Sequence, residues 1–64
     1  MRPYSIEAKD ARSGDFMNYV EHPRSLDRVV KVITAGDQTK INFFTAAYEY
    51  YTVKHPRECV VVWR

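Results

Sequence analysis

The sequence predicts a two-layer α+β domain in which a three-stranded antiparallel sheet carries two helices on one face, in the order ββααβ. Three observations predict this class: an alternating pattern near the start of the chain, apolar residues spaced by three and four in the middle, and an apolar run at the end. The 64 residues are enough for a single compact domain, 1–64, and no linker or repeat divides them.

Two strands open the predicted fold. Apolar residues alternate with polar ones from Tyr4 to Ala8, which is the pattern of a strand with one buried face, so we expect the first strand over residues 3–10. The polar cluster around Gly14 favours a turn. A second strand is expected over residues 16–21, paired with the first as an antiparallel hairpin.

The next segment is predicted to form a helix over residues 26–35. Its apolar residues fall on one helical face, at spacings of three, four and seven: Leu26, Val29, Val30 and Ile33. Ser25 is a suitable N-cap, and Gly36 is a suitable C-terminal stop. A strand is the competing interpretation, because the segment is rich in β-branched residues, which prefer sheets.

A second helix is predicted over residues 38–54, followed by a final strand over residues 58–64. The apolar positions of this helix recur at helical spacing: Ile41, Phe44, Ala47, Tyr48 and Tyr51. The final strand is apolar on both faces, so we expect it to be paired on both sides or covered twice. It should lie beside the first strand, because a helical connection can carry the chain back across the sheet.

Composition indicates a folded protein of a reducing compartment. The ten Lys and Arg residues and eight Asp and Glu residues are interspersed and give a net charge of +2. Cys59 is the only cysteine, so no disulfide can form within the chain. The longest apolar run, 59–63, is too short to span a bilayer. We therefore expect a cytoplasmic protein with no membrane partner.

No arrangement of residues points to catalysis, a metal or a cofactor. His22, His55 and Cys59 lack the paired spacing of zinc ligands, and two separated glycines cannot form a phosphate-binding loop. A cysteine at the start of an apolar strand is typical of a small core residue, so Cys59→Ala should leave activity intact. We expect a protein that is not an enzyme.

Surplus apolar surface predicts a protein partner. Apolar residues cover about two thirds of the second predicted helix, more than one sheet can hide. The residues predicted to bind a partner are Phe43 and Tyr50 on that helix, with Tyr19 and Trp63 on the sheet. In size and lack of catalytic motifs the chain resembles small phage-encoded proteins that bind and disable a host enzyme. The resemblance implies an inhibitor or adaptor that occupies another protein's surface.

Two alternatives remain. Arg24, Arg28 and Lys31 would form a basic ridge on the first helix that could bind nucleic acid. The tyrosines of the second helix have no cation among them, which counts against base stacking. The other alternative is a structural homodimer formed through the open sheet face.

Overall fold

A computed structural model describes residues 1–18 and 26–64, and these form one antiparallel sheet of six strands. The strands are β1 (Pro3–Glu7), β2 (Phe16–Asn18), β3 (Leu26–Ala35), β4 (Gln38–Phe44), β5 (Glu49–Lys54) and β6 (Cys59–Trp63). Their order across the sheet is β1-β6-β2-β3-β4-β5. The helical element in the described residues is a short 3₁₀ turn, Ala8–Asp10. The predicted α+β class with order ββααβ is therefore wrong.

The segment predicted as the first helix is strand β3, as the competing interpretation had it. The helical spacing was misleading, because Leu26 and Ile33 are exposed and only Val29 among its four residues is fully buried. A β-bulge shifts the pairing register with β4 between Val29 and Lys31. The shift puts Val29 opposite Phe43 and Val32 opposite Ile41, so two inward residues are three apart. The β-branched composition was the better guide here.

The predicted second helix is the hairpin of β4 and β5. Thr39, Ile41 and Phe43 are buried and alternate with less buried residues, the period of a strand. The strands are joined by the turn 45–48, in which the Thr45 hydroxyl donates to the Tyr48 carbonyl (2.9 Å) and accepts from the Tyr48 amide (3.1 Å). These bonds give the turn's backbone the partners that a helix would otherwise supply.

The expected hairpin of the first two strands does not form, because β6 lies between them. All five residues of β6 pair with β1, and Trp63 pairs with Phe16 of β2. The amides of Ala8 and Lys9 donate to the carbonyls of Glu58 and Pro56, which ties the end of β1 to the turn before β6. The final strand is thus beside the first and paired on both sides, as predicted. Residues 19–21 of the predicted second strand lie outside the described residues.

The sheet curls around one buried face, which we call the inner face. The buried apolar residues are Ala8, Ala11, Met17, Val29, Ile41, Phe43, Val60 and Val62, with Ile6, Val32 and Tyr50 packed against them. Cys59 is exposed, so the expectation of a core thiol is wrong: the inward positions of β6 are Val60 and Val62. Among the described residues, no helix has the length and apolar character needed to cross a membrane.

Candidate functional site

The residues predicted to contact a partner occupy different environments. Phe43 is in the core with 1% of its surface exposed. Tyr50 is half-buried, stacks on Phe43 with ring centroids 5.3 Å apart, and donates its hydroxyl hydrogen to Asp27. Trp63 is half-buried and lines a cleft together with Phe43, and Tyr19 lies outside the described residues. These side chains therefore do not form one exposed surface in the described structure.

A different surface stands out, on the face of β3, β4 and β5 that points away from the core. Directly paired residues of antiparallel strands share a face, so the register defines three rows of side chains. The rows are Arg28–Phe44–Glu49, Lys31–Asn42–Tyr51 and Ile33–Lys40–Val53. We call these nine residues the outer platform. Aromatic, apolar and cationic side chains alternate across it.

Two aromatic rings on the platform are open to solvent. Phe44 and Tyr51 are 56% and 55% exposed, and they lie diagonally across the β4–β5 pair. Diagonal neighbours are about 7–8 Å apart, within reach of large side chains. The ammonium of Lys40 lies 4.3 Å from the centroid of the Tyr51 ring, a cation–π contact. One face of this exposed ring is therefore already in contact with a cation.

Three cations share the platform with these rings. Arg28, Lys31 and Lys40 are exposed, and none of them takes part in an ion pair found among residues 1–18 and 26–64. Arg28 is flanked by aromatic rings, because it pairs with Phe44 on one side and Phe16 on the other. The predicted ridge is thus partly preserved, since the bulge keeps Arg28 and Lys31 on one face. Arg24 lies outside the described residues.

The platform carries one negative charge, and its carboxylate already accepts a hydrogen bond. Glu49 is the one carboxylate among its nine residues, and its Oε1 accepts a hydrogen bond from Asn42 Nδ2 (3.2 Å). Asp27 lies on the inner face, where it accepts from Tyr50. With three cations and one acid, the platform is net positive, although the whole chain carries only +2.

The sequence contains a signal that would have revealed this surface. Phe44 and Tyr51 were not expected on an exposed surface, because the helical interpretation placed both in the buried stripe with Ile41. A period of two brings them onto one face of a hairpin. The Thr39, Ile41 and Phe43 alternation is visible in the sequence and identifies which face is buried.

A cleft between β6 and the inner face of β4 and β5 is a second feature. Its volume is about 330 Å³, and its lining includes Cys59, Phe43, Thr52 and Trp63. The described residues contain no group of three His, Cys, Asp or Glu side chains able to hold a metal. His55 Nδ1 accepts a hydrogen bond from the Arg57 amide (3.1 Å). The described residues therefore place no metal site in this cleft.

Comparison of the chain with protein-family models, curated proteins and solved structures gives no match in any of the three. The outer platform is therefore the basis for assigning a function to the chain.

Proposed function

We propose that this chain is a non-catalytic binding module that binds nucleic acid through the outer platform. The observation that carries the proposal is the alternation of Arg28, Lys31 and Lys40 with Phe44 and Tyr51 on one exposed sheet face. Cations attract phosphates, and aromatic rings provide surfaces for bases. The sequence predicted a protein partner first because of surplus apolar surface, and the lack of cations among the tyrosines of the second predicted helix counted against base stacking. Strands interleave them, which reverses that ranking.

The number of phosphate contacts predicts how steeply binding should weaken as the salt concentration rises. Cations that already form ion pairs release fewer counterions on binding, whereas the three platform cations are free of such pairs in the described chain. Three phosphate contacts to a single strand correspond to a slope of about −2 in a plot of log K against log salt. This predicts moderate affinity with a clear salt dependence.

The test is fluorescence anisotropy of a labelled oligonucleotide of about 12 nucleotides, titrated at several salt concentrations between about 50 and 200 mM. The double variant Lys31→Gln/Lys40→Gln should reduce the magnitude of the slope by about 1.4, because each lost phosphate contact removes about 0.7. The matched control is Lys9→Gln/Arg57→Gln, which removes the same charge from two exposed residues that contact Glu7 away from the platform. Equal loss in both double variants would count against a localised site.

A protein partner is the second candidate, and the free edge of β5 favours it. β5 is the last strand of the sheet among the described residues, so one side of its backbone is available there to another strand, beside the exposed Tyr48, Tyr51 and Val53. An inhibitor or adaptor could use this edge, and so could a second copy of the chain in a homodimer. A nuclease-resistant complex with an identified protein, lost in Tyr51→Ala but kept in Tyr4→Ala, supports the former. Sedimentation velocity that detects a dimer supports the latter.

We also propose that the chain acts in the cytoplasm, a compartment that keeps thiols reduced. Cys59 is exposed and has no second cysteine in the chain with which to form a disulfide. A free surface thiol of this kind is typical of compartments that keep thiols reduced. The proposal requires no cofactor.

A further inference from the structure

We infer that the nucleic acid bound by the outer platform is a single strand, with bases stacked on Phe44 and Tyr51 and phosphates on Arg28, Lys31 and Lys40. The inference rests on the proposed function and specifies its ligand. Its starting point is that both rings are more than half exposed and lie on adjacent strands of a sheet. Every base has a π face, so such rings accept unpaired bases without regard to sequence.

The arrangement of charge supports the same ligand. Lys31 pairs with Asn42, whose other neighbour across the sheet is Tyr51, and Arg28 pairs directly with Phe44. Each ring therefore lies in a row of paired residues that also contains a cation. A nucleic-acid strand likewise has a phosphate next to each base. The Lys40 ammonium lies 4.3 Å from the centroid of the Tyr51 ring. A base that stacked on this ring would displace the ammonium and leave it free to contact a phosphate.

A duplex fits the described structure less well. Paired bases are stacked on one another and present edges, not faces, so Phe44 and Tyr51 could not stack on them. Reading those edges needs a helix or a two-stranded ribbon in the major groove, and the described residues contain no α-helix. The β3–β4 hairpin is a possible ribbon, yet its tip is Gly36-Asp37, which would bring a carboxylate toward the phosphates.

The experiment compares one labelled single strand with the duplex of the same sequence, at one salt concentration, by fluorescence anisotropy. The wild-type chain should bind the single strand at least about tenfold more tightly. Phe44→Ala and Tyr51→Ala should each weaken that binding about 5- to 150-fold, the range associated with loss of one stacked base. Circular dichroism and thermal unfolding of each variant establish that it is folded, as expected for exposed side chains.

Two further variants separate stacking from general damage. Tyr51→Phe keeps the ring and should bind like the wild-type chain, whereas Tyr51→Leu keeps apolar surface without a π system and should bind like Tyr51→Ala. Tyr4→Ala removes a tyrosine that is 45% exposed on β1, away from the platform, and should have no effect on affinity.

The outcomes distinguish this inference from the proposed function. Equal affinity for single strand and duplex, with no loss of affinity in Phe44→Ala or Tyr51→Ala, would overturn the single-strand assignment. The proposed function would still stand if that binding depended on salt. Absence of salt-dependent binding to either oligonucleotide would overturn both, and a protein partner at the same face would then take their place. Preference for the single strand that disappears in Tyr51→Leu and persists in Tyr51→Phe supports the inference.

Discussion

Asp15 is the buried carboxylate that joins distant parts of the described chain. Its side chain is 4% exposed and accepts hydrogen bonds from the Arg12 amide (2.9 Å) and from Arg64 Nε (2.9 Å). Its backbone carbonyl accepts from the Val29 amide (2.7 Å), which extends the β2–β3 ladder. The hydrogen bond from Arg64 to Asp15 raises the pKa of Arg64, so this guanidinium contributes no pH dependence of stability near neutrality.

Removal of the Asp15 carboxylate should therefore destabilise the domain. Asp15→Ala takes the acceptor from a buried position and should lower the free energy of unfolding by about 1–3 kcal/mol, the usual cost of an unsatisfied buried polar group. Urea denaturation monitored by Trp63 fluorescence measures this. Asp10→Ala is the control, because that side chain is exposed, and its effect should stay within about 0.5 kcal/mol. Equal stability of the two variants would contradict the structural role of Asp15.

Cys59 provides a second test at the level of single residues. Its neighbours on β6 alternate, with Val60 and Val62 buried and Cys59 exposed. Cys59→Ala should change the free energy of unfolding by less than about 0.5 kcal/mol and leave binding intact, since the thiol packs against little. Val62→Ala, by contrast, should cost about 1–3 kcal/mol, because it removes fully buried apolar surface. If Cys59→Ala were the more costly of the two, the assigned face of β6 would be reversed.

The register of β4 gives a prediction at the level of the strand. Phe43 and Phe44 are adjacent in sequence but point to opposite faces, with 1% and 56% of their surfaces exposed. Phe43→Ala should cost about 3–5 kcal/mol of unfolding free energy, which threatens the whole fold of so small a domain. Phe44→Ala should cost far less. Denaturation of both variants checks this, and the opposite order is what a helix over residues 38–54 would give.

The strands at the two ends of the chain could be predicted from sequence, whereas β3, β4 and β5 could not. The alternation in β1 and the apolar run in β6 are simple patterns, and both were recognised as strands, although β1 ends at Glu7 and residues 8–10 form a 3₁₀ turn. In β3 the exposed apolar residues Leu26 and Ile33 combine with the buried Val29 to give helical spacing, although they lie on the other face of the strand. In β4 and β5 aromatic residues occupy both faces, so a helical wheel also finds an apolar stripe.

How much of the candidate site could be predicted also depended on whether its segments were recognised as strands. Arg28 and Lys31 were predicted, together with Arg24, as a basic ridge from their helical spacing, and the bulge keeps these two residues on one face of β3 as well. Lys40, Phe44 and Tyr51 join them only through pairing between strands, which depends on contacts distant in sequence. A site built across strands is therefore hidden until the strand period is recognised.

At the scale of the whole molecule, the part of the chain that the structure describes is a single curled sheet, and it places no covering layer on one face. The core consists of residues from one face of the sheet together with Ala8 and Ala11, and several of these side chains are small. A chain of 64 residues buries only about 60% of the surface that its unfolded form exposes. The outer platform is therefore exposed as a consequence of the architecture, and the stability of the domain is limited for the same reason.

Limited stability makes ligand binding visible as a change in thermal unfolding. A ligand that binds only the folded state, at about 100 times its Kd, adds about 2.7 kcal/mol to the free energy of unfolding. In a domain of this size that corresponds to a rise in Tm of roughly 10–20 °C. Differential scanning calorimetry with the single-stranded oligonucleotide should detect this rise at low salt, and it should shrink as salt increases because counterion release weakens.

The double variant Lys31→Gln/Lys40→Gln provides the control for this shift, since it should unfold at nearly the wild-type temperature without ligand and gain much less from the oligonucleotide. Lys9→Gln/Arg57→Gln should keep the full shift, because neither residue lies on the outer platform. A shift that is equal in both double variants would mean that the ligand binds elsewhere on the domain. A shift that does not depend on salt would mean that phosphate contacts do not drive the binding.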